Sequence, residues 1–239
     1  MILYKTPITI EMKNNKLIAN GEEIESSIRT FSDMKDVLAE EPEEEGDAYY
    51  MFRRVFQVND IRYDITLIPD WTFGEERPKT YGHCHPIAEH GLTYPEVYQL
   101  LDGEGVFILQ RELRDGSFFV SVVEAKAGDV VLIPPNFCHV SVNCGKALLL
   151  ANAVYNSFNP DYSLFKRNRG AAYYLTKEGI FNQNPNYIVA KNERITPKQL
   201  NARYGFDSED ILTELYSNPR KFEFLKRPSL LTIQQNHFI

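Results

Sequence analysis

Between Tyr49 and Val154 the chain breaks into short apolar runs divided by Gly, Pro, Asn and Asp. The runs Tyr63–Ile68, Val97–Leu101, Val106–Gln110, Phe118–Glu124, Val130–Ile133 and Ala147–Val154 carry Val, Ile, Phe and Tyr at strand length. Asp102-Gly103-Glu104-Gly105 reads as a hairpin turn between two of them, and Arg114-Asp115-Gly116-Ser117 as another. Many short antiparallel strands with regular turns predict an all-β sandwich or barrel. Upstream, residues 1–30 alternate polar and apolar positions in short stretches, which suits edge strands or an arm. Ser32 to Ala39 predicts a short helix with Ser32 as cap and Asp33 in the first turn. The acidic run Glu40–Asp47, broken by Pro42 and Gly46, reads as a solvated loop. Downstream, Thr196-Pro197 and Ser208-Glu209-Asp210 are helix starts. The expected organisation is an arm with a short helix at 1–48, a barrel at 49–165 and a mixed α/β extension packing on it at 166–239.

Composition narrows the function. A chain of 239 residues holds one large domain, or a domain with extensions. The net charge of -7 argues against general nucleic-acid binding but allows a locally positive pocket for a small anion. Three cysteines, Cys84, Cys138 and Cys144, without a paired spacing, read as reduced intracellular thiols. The first residues lack a leader pattern, and no segment is long and apolar enough to cross a bilayer. A cytoplasmic protein, with no membrane or nucleic-acid partner, is expected.

The chemistry concentrates in a few residues. His83 and His85 lie two apart, so on an extended segment both imidazoles face one way. Glu96 opens the strand Glu96-Val97-Tyr98-Gln99-Leu100, and the same period turns Tyr98 with it. His139 opens a strand, Val140 to Val142, after Pro134-Pro135. Three imidazoles and one carboxylate suit Fe(II), Mn(II), Ni(II) or Zn(II) better than Ca(II). A lone histidine is usually a hydrogen-bonded structural residue, and His90 and His237 are read so, facing solvent. Cys84 should point away from the two histidines and be a small core residue.

These stretches resemble the two motifs of the cupin superfamily. The first is His83, His85, Glu96 and Gly103; the second is Gly128, Pro134, His139 and Asn143. The gap from His85 to Glu96 is longer than usual, with Ile87–Thr93 inserted as a loop. Asn136 stands where the family has glycine, and Asn tolerates the left-handed backbone of a turn. A narrower resemblance is to the cupin-type, or archaeal-type, glucose-6-phosphate isomerases. Thr80-Tyr81-Gly82-His83-Cys84-His85, Glu96-Val97-Tyr98, Gly103-x-Gly105 and Leu109-Gln110 carry it, with Ser27 to Met34, Val131 to Asn143 and Tyr155, followed by Asp161-Tyr162, in support. It covers roughly residues 27–190. It implies a jelly-roll barrel and one divalent metal, Fe(II) first and Mn, Ni or Zn as alternatives, on His83, His85, Glu96 and His139. It implies isomerisation between glucose 6-phosphate and fructose 6-phosphate in glycolysis and gluconeogenesis. Glu96 is then both metal ligand and candidate base, and Thr80, Gly82, Tyr98, Tyr155 and Tyr162 bind the substrate. A homodimer is expected by the same analogy. The alternatives are a dioxygenase-like cupin enzyme, which the same donor set would serve, and a non-enzymatic sugar-binding cupin.

Overall fold

The computed structural model describes residues 1–42, 45–71 and 74–231; His237 lies outside them. Strands β1 (Ile2–Tyr4), β2 (Ile10–Lys13), β3 (Lys16–Ala19) and β4 (Glu22–Ile24) form a small antiparallel sheet ahead of the barrel. Along β2, Ile10 and Met12 are buried while Glu11 and Lys13 are exposed, the mark of a sheet with one dry face.

Two larger sheets form the barrel. Strands β5 (Ser26–Thr30), β6 (Asp47–Val58) and β7 (Ile61–Pro69) follow one another in sequence and pair as neighbours. A small hairpin, β8 (Ile87–Glu89) with β9 (Leu92–Thr93), leads to β10 (Glu96–Asp102), β11 (Glu104–Glu112), β12 (Phe118–Lys126), β13 (Val130–Ile133), β14 (Cys138–Asn143) and β15 (Ala147–Tyr155). Beyond them lie the ribbon β16 (Tyr173–Leu175) and β17 (Phe181–Gln183), then β18 (Val189–Ile195). One sheet runs β13-β10-β15-β7-β6-β5 and the other β14-β11-β12-β18. Helices are short: α1 (Phe31–Met34), α2 (Ser163–Arg167), α3 (Pro197–Arg203) and α4 (Ile211–Ser217). The result is the all-β sandwich or barrel expected from the strand pattern, in the two-sheet jelly-roll form that the resemblance implies, with a mixed extension.

The structure corrects several expectations. Asp102–Gly105 is not a hairpin: β10 belongs to one sheet and β11 to the other, so the chain turns a corner between them. Gly103 sits at that corner with φ +86, and a Cβ there would come within 2.2 Å of the Ala147 carbonyl oxygen. Only glycine fits such an approach. Arg114–Ser117 does connect paired strands, β11 and β12. The first helix is shorter than Ser32–Ala39: Thr30, not Ser32, caps it through a capping box with Asp33, and it tightens to a 3-10 turn at Lys35–Val37. Asp210 caps α4, two residues beyond Ser208, whereas Thr196 caps α3 with Pro197 at its start as expected. The barrel also reaches past the span 49–165. It takes β5 from before it and β18 from after it, the latter parallel to β12.

The cysteine reading is overturned as well. Cys84 and Cys138 are joined as a disulfide, and Cys144 alone is free. The cause is register. His83 and His139 exchange backbone hydrogen bonds, which places Cys84 directly opposite Cys138 in the next, closer pair, with Cα atoms 4.2 Å apart. Sequence alone could not bring together residues 54 positions apart.

Candidate metal centre

The four donors are placed by three pieces of the barrel. The segment Thr80 to His85 runs along β14, tied by Thr80 N–H to Ser141 and by the His83–His139 exchange. His83 and His85 therefore point to the interior and Cys84 to the outside. Glu96 begins β10, where Tyr98 shares its face. Gly82, at φ +81, lies against the Phe165 ring; a Cβ there would come within 2.5 Å of it. Asn136 does adopt the left-handed backbone, φ +67. Its side chain accepts from Thr93 N–H while its own N–H donates to Thr93 Oγ1. The inserted hairpin is thereby pinned beside the second motif.

The four donors converge. His83 Nε2 lies 3.0 Å from His85 Nε2. Glu96 Oε2 lies 3.3 Å from His139 Nε2, 3.4 Å from His85 Nε2 and 4.0 Å from His83 Nε2. Donors ringing one first-row ion at about 2.1 Å stand about 3.0 to 3.4 Å apart, so the spacing fits a single ion. Two further observations agree. Glu96 Oε2 is buried with no hydrogen-bond partner of good geometry, while Oε1 accepts from Asn152 Nδ2 at 2.7 Å. His85 Nδ1 lies 2.8 Å from the Tyr94 carbonyl, which fixes the ring and leaves Nε2 facing the cluster.

Electrostatics favour ligand-ready forms. Burial pushes His83 and His139 below the usual imidazole value, and for His83 the neighbouring imidazoles add to it. Burial alone would raise the Glu96 carboxyl, but the His139 and His85 imidazoles set against it outweigh that and hold it well below the usual range. Neutral imidazoles and an ionised carboxylate are the forms that bind a metal. Burial and the Glu96 charge push the Tyr98 hydroxyl well up, so it stays protonated, 3.2 Å from His139 Nε2.

His83, His85 and Glu96 form one side of a pocket of about 570 Å³, counted to its open mouth. Thr80, Gly82, Tyr98 and Tyr162 line it with them. Tyr155 does not: Val154 of the same strand faces the pocket, so strand alternation turns Tyr155 to the other side, where it packs on Tyr94 at 5.1 Å between ring centroids. His90 is exposed at the tip of the β8–β9 hairpin. The sequence reading missed Asn152, Arg53 and Arg62. A single amide in the apolar strand Ala147–Tyr155 was the available signal for Asn152. Alternation in β7, which places Arg62, Asp64 and Thr66 on one face, was the signal for the second arginine.

Residues 28–191 match the sequence model of the family described as "Glucose-6-phosphate isomerase (GPI)". The chain belongs to the glucose-6-phosphate isomerase family. The matched span contains all four donors, the pocket-lining tyrosines and both barrel sheets except the ends of β5 and β18. Among curated relatives, the glucose-6-phosphate isomerase of Thermococcus litoralis is 27% identical over 162 residues, 64% of this chain and 80% of that protein. That of Thermococcus onnurineus is 25% identical over 185 residues, 74% of this chain and 92% of the relative. A cupin 2 conserved barrel domain protein from Rhodopseudomonas palustris, among solved structures, is 14% identical, covers 59% of this chain and 79% of its own, and has a TM-score of 0.36. No helix among the described residues is long and apolar enough to cross a membrane.

Proposed function

We propose that this chain is a metal-dependent aldose–ketose isomerase that interconverts glucose 6-phosphate and fructose 6-phosphate in glycolysis and gluconeogenesis. The observation that carries the reading is the family match across residues 28–191, which encloses the four-donor cluster. His83, His85, His139 and Glu96 Oε2 would hold one divalent ion; Fe(II) is the first choice, and Mn, Ni or Zn also suit three imidazoles and a carboxylate. Such an ion supplies Lewis-acid polarisation of the sugar's C1 and C2 oxygens. The residues do the rest. Glu96 is the one carboxylate among the lining residues described, so we assign it the proton that moves between C1 and C2. Asn152 holds its other oxygen and fixes the carboxylate plane. Tyr98 offers a protonated hydroxyl beside it, and Thr80, Gly82 and Tyr162 present donors along the sugar.

We further propose a cytoplasmic homodimer. Ile28 on edge strand β5 is 46% exposed and Ile2 on edge strand β1 is 56% exposed, apolar positions that a second copy would cover. The activity is tested by reloading purified protein with Fe(II) or Mn(II) and following interconversion of the two hexose phosphates. Chelation should abolish turnover and re-addition restore it, and His139→Ala should lose at least about a hundredfold in kcat/KM. Full turnover with EDTA present would defeat the metal role.

A further inference from the structure

Three of the four donors are chain neighbours of the cross-linked cysteines. Cys84 lies between His83 and His85, and Cys138 directly precedes His139. On extended backbone each sulfur points away from the adjacent imidazoles, so the link lies on the outer face of the wall whose inner face carries the donors. Both cysteines are half-buried, so a reductant in solvent reaches them without entering the pocket.

That wall is thinly held. Near its start, the segment Thr80 to His85 is tied to β14 by Thr80 N–H, which donates to the Ser141 carbonyl, and by Thr80 Oγ1, which accepts Ser141 N–H at 3.1 Å. His83 and His139 exchange the next two backbone bonds, each 3.0 Å. Past that pair, no backbone bond joins the segment to β14 among the described residues. Cys84 turns its N–H and carbonyl the other way, to Asp161, and His85 Nδ1 lies against the Tyr94 carbonyl. The disulfide is the last tie between the strand that carries His139 and the turn into His85.

Global stability does not account for this position. Cross-links make up for small cores, and this chain has a large one, with Phe52, Tyr63, Phe107, Phe165 and Phe222 all less than 2% exposed. A link serving the fold alone would do as well far from the donors. A metal site needs its donors held to within about 0.5 Å, and this link spans the two segments whose separation sets His83 and His85 against His139. Cys144 follows the far end of β14, about 20 Å along the strand from Cys138 at 3.3 Å per residue. It cannot open the link, so the electrons must come from outside the chain.

We propose that Cys84–Cys138 is a thiol–disulfide exchange site for an external dithiol, and that opening it loosens the metal centre. The proposal rests on the four-donor metal centre and goes beyond the isomerase reading. The exchange balances in two steps. A thiolate of the dithiol attacks one cysteine sulfur; the S–S bond breaks, a mixed disulfide forms, and the other cysteine leaves as a thiolate that takes up a proton. The dithiol's second sulfur, having lost its proton, attacks the mixed disulfide, closes the reductant into its own disulfide and frees the remaining cysteine, which is protonated in turn. Two electrons and two protons pass from the dithiol to the pair, and a disulfide oxidant reverses the exchange.

The test uses the full chain, reduced with dithiothreitol and freed of it by anaerobic gel filtration. Thiol labelling of unfolded samples verifies the state, with one free cysteine before reduction and three after. Mn(II) is titrated by calorimetry into metal-free protein in both states. Reduced protein should bind about tenfold to a hundredfold more weakly, and reoxidation with oxidised glutathione should restore the affinity. Amide exchange separates local loosening from unfolding. The His83 and His139 N–H groups should exchange faster after reduction, while those paired between β11 and β12 keep their protection. Cys84→Ser/Cys138→Ser should bind Mn(II) as reduced protein does and ignore the reductant, whereas Cys144→Ser should respond like wild type. Equal Mn(II) affinity in the two states would overturn the proposal. So would loss of β11–β12 protection on reduction, which would make the link a staple of the whole fold. Should the double variant fail to fold, the reversible cycle of the wild type decides by itself. If oxidised protein binds Mn(II) but turns over neither hexose phosphate, the isomerase reading fails while the titration still decides the exchange site. If neither state binds Mn(II), the metal centre falls and this proposal with it.

Discussion

At the scale of single residues, the centre is a set of groups whose charge states depend on one another. His83 and His139 lie below the ordinary imidazole value of 6.5 because burial disfavours their charged forms. As pH falls below about 6.5, the unfolded chain takes up these protons before the folded chain does, so folded stability drops. Glu96, held below the ordinary 4.5, acts in the same direction at lower pH: its contribution is present above about 4.5 and is lost as pH falls through its folded value. Both effects point one way. Thermal unfolding of EDTA-treated protein should therefore shift to lower temperature between about pH 7 and pH 5, and metal affinity should fall with it because protons compete for the same Nε2 atoms. A flat profile across that window would show that the imidazoles titrate normally. The ligands themselves were legible in sequence, because period-two spacing and motif context both mark them. Asn152 was not, because its importance depends on the register that places it opposite Tyr98, beside Glu96.

Elements show where local pattern succeeds and where it cannot. Val130–Ile133 reads as a strand and is one, since strand composition and flanking turns are local facts. The corner at Gly103 reads as a hairpin because a tight turn and a change of sheet use the same residues; only the pairing of β10 with β15 and β11 with β12 separates them. The Cys84–Cys138 link is of the same kind. It joins the segment bearing His83 and His85 to the strand bearing His139, on the outer face of both. Closing a loop of 54 residues is worth about 4 kcal/mol in the chain-entropy account. Urea unfolding with and without a dithiol reductant should differ by up to about that amount. Thiol labelling of unfolded protein should find one free cysteine before reduction and three after, Cys144 being the one already free. Three labelled thiols without reductant would remove the cross-link from the account. The pair matters for the cytoplasmic reading too, since a reducing pool would open it.

For the whole molecule, the part beyond the family match is the part sequence patterns described least well, yet the barrel leans on it. A sheet of this kind exposes two edges, and bare edges invite association. The extension covers one on each sheet. β18 pairs in parallel with β12 along Phe118 to Val123. On the other sheet, buried Asn201 of α3 accepts from Leu132 N–H at 2.9 Å and donates to the Val130 carbonyl at 2.8 Å, completing edge strand β13. Gln99 of β10 accepts from Ile211 N–H at 2.9 Å, locking α4 to the same sheet. Behind these contacts Leu200, Ile211, Leu212, Leu215, Phe222 and Leu225 are almost fully buried. A chain ended at Ile188 would uncover both edges and that apolar layer together. It should aggregate on expression, or lose its cooperative thermal transition, although every metal donor remains in it. A milder change separates edge capping from bulk burial. Asn201→Leu keeps the volume roughly but leaves two backbone groups of β13 unpaired, at a cost of about 2 to 4 kcal/mol. If the shortened chain instead unfolds at the wild-type temperature and elutes as a compact species, the extension is an appendage, and the barrel closes its own edges.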